Sequence, residues 1–301
     1  MKLDDLKQSN RVEDRRGQSG SSYGGGSSGG NGMGGLLVQL LFSRGKGKWI
    51  IIAILLLSFF AGGGQLGDFI GLNSYQSSYE KNYTPSTVSD EDAVFISKVF
   101  ASTEEFWTQE FEKEGLTYHP PTLVIYDQQT QTGGCGVGSA SAGPFYCPAD
   151  NKVYIDLTFY QELSTKYQAS GDFAMAYVIA HEVGHHVQNE LGTMRSYQQK
   201  RQSLSEKAAN ALNVRLELQA DYYAGAWANY VEGQGLLEVG DIEEAMNAAH
   251  AVGDDTLQEA AYGTTVPDSF THGTSEQRQK WFMRGFQYGD LRHGDTFSGS
   301  I

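Results

Sequence analysis

Apolar positions along the 301 residues change their spacing several times, and each change predicts a different element. WIIIAILLLSFFA, from Trp49 to Ala61, is apolar on every side and runs on through small residues to Leu66 before Asp68. Val94, Phe95, Val99, Phe100, Phe106, Trp107 and Phe111 then recur at helical spacing. Ser89 and Asp92 sit as a capping box before them, so a helix is expected that ends near Gly115. TLVIYD (Thr122 to Asp127) and KVYIDL (Lys152 to Leu157) are β-branched runs, the second preceded by GPFYC across a PADN turn, and together they predict a small sheet. From Asp172 the pattern turns helical. DFAMAYVIAHEVGHHVQNEL reads as a mostly buried helix ending at Gly192, and Thr193 to Glu232 as one or two more. Another is expected over Asp241 to Val252, and a last one from Thr274, where Gln277 completes a capping box. The fold class is therefore α+β, mainly helical with a small sheet.

Charge and glycine divide the chain further. Residues 1–48 carry eight basic and four acidic residues, a net +4, which leaves −18 for the remainder of a chain whose total is −14. An acidic exterior has no basic face to displace counterions from phosphates, so nucleic acid is not expected as a partner. Gly17 to Gly35 is a Gly/Ser run holding ten of the 37 glycines, too poor in apolar surface to offset its ordering entropy, and it reads as a linker. The run after Arg44, Lys46 and Lys48 reaches the lower length limit of a bilayer span once Gly62 to Gly67 are added. A buried core helix would show a polar face, and a cleaved signal peptide would not follow a 48-residue tail without an A-x-A site. The expectation is a single-pass signal anchor: a cytoplasmic basic tail with linker over 1–48, a transmembrane helix over 49–67, a stalk over 68–88 and the main domain over 89–301 on the periplasmic or extracellular side. LLVQLLF, from Leu36 to Phe42, is too short to span and is expected at the bilayer interface.

Cys135 and Cys147 are the only cysteines, in a Gly- and Ser-rich segment. In an oxidising compartment such a pair forms a disulfide contributing ~3 kcal/mol in the chain-entropy model, and the alternative is two free thiols. Two cysteines alone make a poor metal site.

Chemistry concentrates in two helical strings. His181-Glu182-Val183-Gly184-His185 is HExxH within an apolar helix, where positions i and i+4 share a face and can bind one Zn²⁺ while Glu182 reaches the attacking water. In RLELQADYYAGAW, Glu217 and Asp221 repeat the i, i+4 spacing. Glu217 is the carboxylate placed to be the third ligand, and Asp221 is placed to accept the free ring N–H of a ligand imidazole. The competing explanations are a chance match for the first string and a solvated acidic face for the second; the small and apolar neighbours weaken the latter. His272, in a Gly-containing loop before a capped helix, is a candidate donor to the oxyanion of peptide hydrolysis. His186 lies off the ligand face and is expected to pack or cap. His119, His250 and His293 read as ordinary surface or satisfied residues.

HExxH followed by ExxxD resembles the signature of gluzincin metallopeptidases, in which the two His and the first Glu of the second motif bind zinc. The resemblance implies a zincin-like domain, with GPFYC as the edge strand that a peptide substrate joins, KVYIDL behind it, and a disulfide clamping the edge at Cys147. More closely, SNRVEDRRG, the Gly/Ser linker, the apolar segment, CGVGSA, GPFYCPADNKVYIDLTFY, AHEVGHHVQ, LELQADYYAGAWA, GDIEEAMNAAHAVGDD and THGTSEQRQKWFMRGF resemble the bacterial putative neutral zinc metallopeptidases over nearly the whole chain. The tail departs only by an extra Arg11. THGTSEQR is also similar to the TH-x-x-S/T-x-x-R element of membrane-embedded gluzincins, which points to His272 and Arg278 near the site. The expected protein is a membrane-anchored endopeptidase with one Zn²⁺ on His181, His185 and Glu217, acting on polypeptides. The rival is a zinc-stabilised, non-catalytic membrane-tethered scaffold, which would have no use for Glu182 beside the metal.

Overall fold

The computed structural model describes residues 1–17, 90–139, 143–159, 165 and 171–301. The expected linker, interfacial run, span over 49–67, stalk over 68–88 and Ser89 of the first capping box lie outside these. Among the described residues no helix is long and apolar enough to cross a membrane.

Seven helices and two small sheets make up the described residues, an α+β architecture. In chain order they are β1 (Val12–Asp14), α1 (Asp90–Lys113), β2 (Thr122–Tyr126), β3 (Gln129–Gln131), β4 (Val137–Ser139), β5 (Phe145–Cys147), β6 (Lys152–Asp156), α2 (Asp172–Glu190), α3 (Thr193–Arg201), α4 (Glu206–Gly233), α5 (Asp241–Ala251), α6 (Asp254–Tyr262) and α7 (Ser275–Tyr288). The Thr193 to Glu232 stretch is two helices because Ser205 caps α4, its hydroxyl accepting from the Ala208 N–H. Thr274 and Gln277 close both halves of the capping box of α7. α6, and the strands β1, β3 and β4, are elements the apolar spacing does not announce.

The main sheet has the order β1-β2-β6-β5, with β5 antiparallel to β6 at one edge and the other pairs parallel. β2 and β6 are buried on both faces, which explains their unbroken apolar runs. Leu123, Ile125, Val153 and Ile155 face the helices, while Val124, Tyr126 and Tyr154 form a second small cluster with Cys147. The β3–β4 hairpin and the Cys135–Cys147 disulfide stand beside that second cluster.

Residues 1–17 belong to this folded unit instead of standing apart as a tail. Met1 and Leu3 are buried in the main core, and β1 pairs in register with Leu123 to Ile125 of β2. The composition of this segment hides its role, because three strand residues and two core side chains are too few to set a period.

The helical core is built around α2 and α4. Phe173 stacks on Trp227, and Trp107 meets Tyr223 edge to face, with the Trp227 ring N–H donating to the Ser102 hydroxyl at 3.0 Å. α4 and α7 approach backbone to backbone through paired glycines. A Cβ on Gly225 would fall 1.9 Å from the Phe282 carbonyl oxygen, and one on Gly285 would fall 1.9 Å from that of Tyr222. Gly225→Ala is expected to separate these helices and lower the unfolding free energy by about 1–3 kcal/mol in a denaturant titration. An unchanged midpoint would show that the contact tolerates a methyl group.

Candidate functional site

α2 is apolar on nearly all sides, so its polar residues are buried with it and must find partners. Gly184 permits this. A Cβ there would lie 3.1 Å from the Ala220 carbonyl oxygen and 3.2 Å from the Ala220 Cα, so α2 and α4 cross in close contact at Gly184 and Ala220. Each crossing residue is flanked by an i, i+4 pair, His181 and His185 on α2, Glu217 and Asp221 on α4. The crossing brings the two pairs face to face.

His181 Nε2 lies 3.3 Å and His185 Nε2 3.5 Å from the same Glu217 carboxylate oxygen. One ligand atom from each of the three lies within 4.8 Å of the others, and all three residues are buried. The outer nitrogens are engaged elsewhere. His181 Nδ1 donates to Asp221 Oδ1 at 2.8 Å. His185 Nδ1 donates to Gln188 Oε1 at 2.9 Å, an orientation set by the Gln188 amide N–H groups, which donate to the Leu216 carbonyl and to Gln219. Both rings therefore turn Nε2 toward Glu217.

This donor set suits Zn²⁺. Metal–ligand bonds of ~2.0–2.1 Å in a tetrahedron put neighbouring ligand atoms roughly 3.3 Å apart, the separation seen from Glu217 to each imidazole. Three protein donors also leave one tetrahedral position open, as in catalytic and not structural sites. The electrostatics agree. Burial disfavours a charged His185, yet the Glu217 carboxylate overcomes it and raises the ring to about 9. Burial likewise opposes ionisation of Glu217, but His185 and the hydrogen bonds of both imidazoles hold it well below the usual carboxylate range. The pocket favours positive charge at the point where the three donors meet.

Asp221 is fully buried and accepts from four groups: His181 Nδ1, the Tyr177 hydroxyl at 2.6 Å, and Arg278 through Nε at 2.9 Å and Nη2 at 3.0 Å. Burial would raise its pKa, but Arg278 and His181 drive it far down, so the carboxylate stays ionised. Arg278 comes from α7 and also donates to the Val252 carbonyl, tying two further elements to the ligand helix. Glu182, next to His181 on α2, is buried, and its charge adds to that of Glu217 at His185.

His272 lies on the loop entering α7, which is laid along α4 beside Glu217. The Asn213 amide donates to the Thr271 carbonyl at 2.8 Å, and Gly273 sits against Val214 and Leu218. Asp254, the first residue of α6, organises the loop: its Oδ2 accepts the N–H groups of Thr271, His272 and Gly273 at 2.7, 2.6 and 3.0 Å. Its Oδ1 lies 3.4 Å from His272 Nδ1. Burial alone would lower the His272 pKa, but Asp254 and the charge of Glu217 raise it.

The structure thus brings together His181, His185, Glu217, Asp221, Glu182 and Arg278, with His272 on the adjoining loop. Gln188, Tyr177 and Asp254 take part without having been singled out in the sequence. Gln188 had a local signal, since it follows His185 at i+3; Asp254 had none, because its partners are 17 to 19 residues away. His186 is buried and packs as expected, its Nε2 donating to the His119 carbonyl at 2.8 Å and its Nδ1 3.1 Å from the Tyr146 hydroxyl on β5. It joins the helix of His181 and His185 to the sheet edge. His119 pairs with Glu190, His293 pairs with Asp290, and His250 is exposed. Cys135 and Cys147 form the expected disulfide, at the C-terminal end of that edge strand.

The sequence profile described as "Putative neutral zinc metallopeptidase" matches residues 1–297. The chain is 47% identical over 301 residues to the uncharacterized protein YpfJ of Escherichia coli, covering all of both chains. It is 45% identical over 194 residues to the uncharacterized protein Rv2575 of Mycobacterium tuberculosis, covering 61% of this chain and 64% of that one. No solved structure matches it. With HExxH, the facing ExxxD and nearly the whole sequence inside one profile, the chain belongs to the putative neutral zinc metallopeptidase family.

Proposed function

We propose that the chain is a zinc-dependent endopeptidase with a zincin-like catalytic domain. The observation that carries this reading is the convergence of His181 Nε2, His185 Nε2 and Glu217 on one point, with both outer ring nitrogens held by Asp221 and Gln188. Bound at that point, Zn²⁺ would polarise a scissile carbonyl and make a water acidic at neutral pH.

The protein's own groups do the remaining work. The Glu182 carboxylate takes the proton from the attacking water and passes it to the leaving amine nitrogen. Asp221 keeps the proton of His181 on Nδ1, leaving Nε2 with its lone pair for the metal. His272 donates from its ring to the carbonyl oxygen as negative charge builds there, and Asp254 favours the imidazolium that can do so while holding Nδ1. β5 is one outer strand of the main sheet, on the side joined to α2 by His186, and an extended peptide could pair along it.

Four outcomes are expected. Glu182→Gln keeps its zinc by metal analysis but hydrolyses casein at least ~10²-fold more slowly; unchanged hydrolysis would sink the mechanism, and zinc binding without activity in the unaltered protein would favour a scaffold. Asp221→Asn weakens zinc binding ~10–100-fold in a chelator competition, because the His181 tautomer is no longer imposed. His272→Ala lowers kcat ~10²-fold with little change in KM. In the same series Asp254→Asn shifts the alkaline limb of kcat/KM to lower pH: loss of the carboxylate lowers the His272 pKa, so its proton leaves earlier as pH rises. An alkaline limb that stays in place would remove His272 from the reaction.

A further inference from the structure

Residues 1–17 and 90–301 meet in one folded unit, and the chain between them leaves and re-enters that unit at one place. β1 pairs in parallel with β2 over Val12 to Asp14, and the pairing extends at both ends: the Leu123 N–H donates to Arg11 and the Arg15 N–H to Ile125. Upstream, Met1 and Leu3 share the core that contains Trp107 and Phe173, the Lys2 N–H donates to the Leu236 carbonyl, and the Lys98 ammonium caps the Leu3 carbonyl at 2.8 Å. Downstream, the Gly17 N–H donates to the Asp127 carboxylate. The Arg16 guanidinium joins Asp14 at 2.6 Å to Asp90, the first residue of α1, at 3.0 Å.

A chain that threads a bilayer once does not allow this. The arrangement expected from the sequence, with the basic tail in the cytoplasm and the domain outside, sets β1 on the far side of ~30 Å of hydrocarbon from the strand it pairs with. It would also leave the outer edge of β2 unpaired and the seats of Met1 and Leu3 open to water.

We infer that residues 1–17 lie on the same side of the membrane as the elements they dock against, β2 and α1 among them. The inference needs only the docking of β1 and is independent of the peptidase reading.

The test uses the full chain in intact cells. Because Cys135 and Cys147 are joined to each other, a cysteine placed at an exposed position supplies the reactive thiol. Lys7→Cys and Ala260→Cys, both exposed, are each treated with a membrane-impermeant maleimide before and after permeabilisation. The two variants should give the same ratio of labelling before to after, whichever side they share. Labelling of one in intact cells and of the other only after permeabilisation overturns the inference. A second variant reads the docking itself: Ser9→Cys combined with Glu104→Cys, whose native side chains are 3.0 Å apart, should yield a 9-to-104 crosslinked peptide with a short bis-maleimide. Failure to recover that peptide, with both cysteines reactive singly, also overturns it.

Discussion

Two helices touching with almost nothing between them is the constraint from which the site follows. A methyl group at position 184 would meet the Ala220 carbonyl oxygen at 3.1 Å and its Cα at 3.2 Å, tighter than ordinary contact, so the helices would have to give at the point that the four flanking residues share. The separations from Glu217 to the two imidazoles follow from that crossing, which sets Glu217 against the face of α2 that carries both rings. The second close approach, Gly225 against α7, has a parallel effect. It brings Arg278 within bonding distance of Asp221.

Burying this many ionisable groups is costly unless each is paired, and the pairing is what makes the core specific. Asp221 is ionised because Arg278 faces it, and its charge in turn keeps the proton of His181 on the outer nitrogen. Gln188 does the same for His185 without a charge. The two orienting groups differ because their surroundings differ: Asp221 has an arginine to balance it, whereas Gln188 is satisfied by a carbonyl and a neutral amide from α4. Asp254 extends this logic outward by collecting three backbone N–H groups that a loop passing over a helix could not otherwise satisfy.

The sheet meets the site from the other side. Its central strands are covered on one face by the helices and on the other by the small cluster beside the disulfide, which leaves β5 as one outer strand while β1 closes the opposite edge of β2. His186 and Tyr146 connect the outer strand to α2, so the distance between the sheet edge and the face carrying His181 and His185 is set by a contact adjacent in sequence to His185.

Much of this was written locally. Helical spacing, the Thr274–Gln277 cap, the two apolar strands and the i, i+4 motifs depend on neighbours within a turn or a strand, so the sequence by itself determined the helices from Asp172 onward apart from α6, the core of the sheet and the two i, i+4 pairs of the candidate site. Tertiary structure alone decided the rest. Asp254 and Gly184 take their meaning from partners that are distant in the chain, and the apolar spacing misses α6 because the helix has nine residues and buries only Asp254. The N-terminal segment shows this most clearly. Its charge pattern reads as a solvated tail, but a strand three residues long is stabilised by the edge it joins, and that edge exists only once β2 and β6 have folded against the helices.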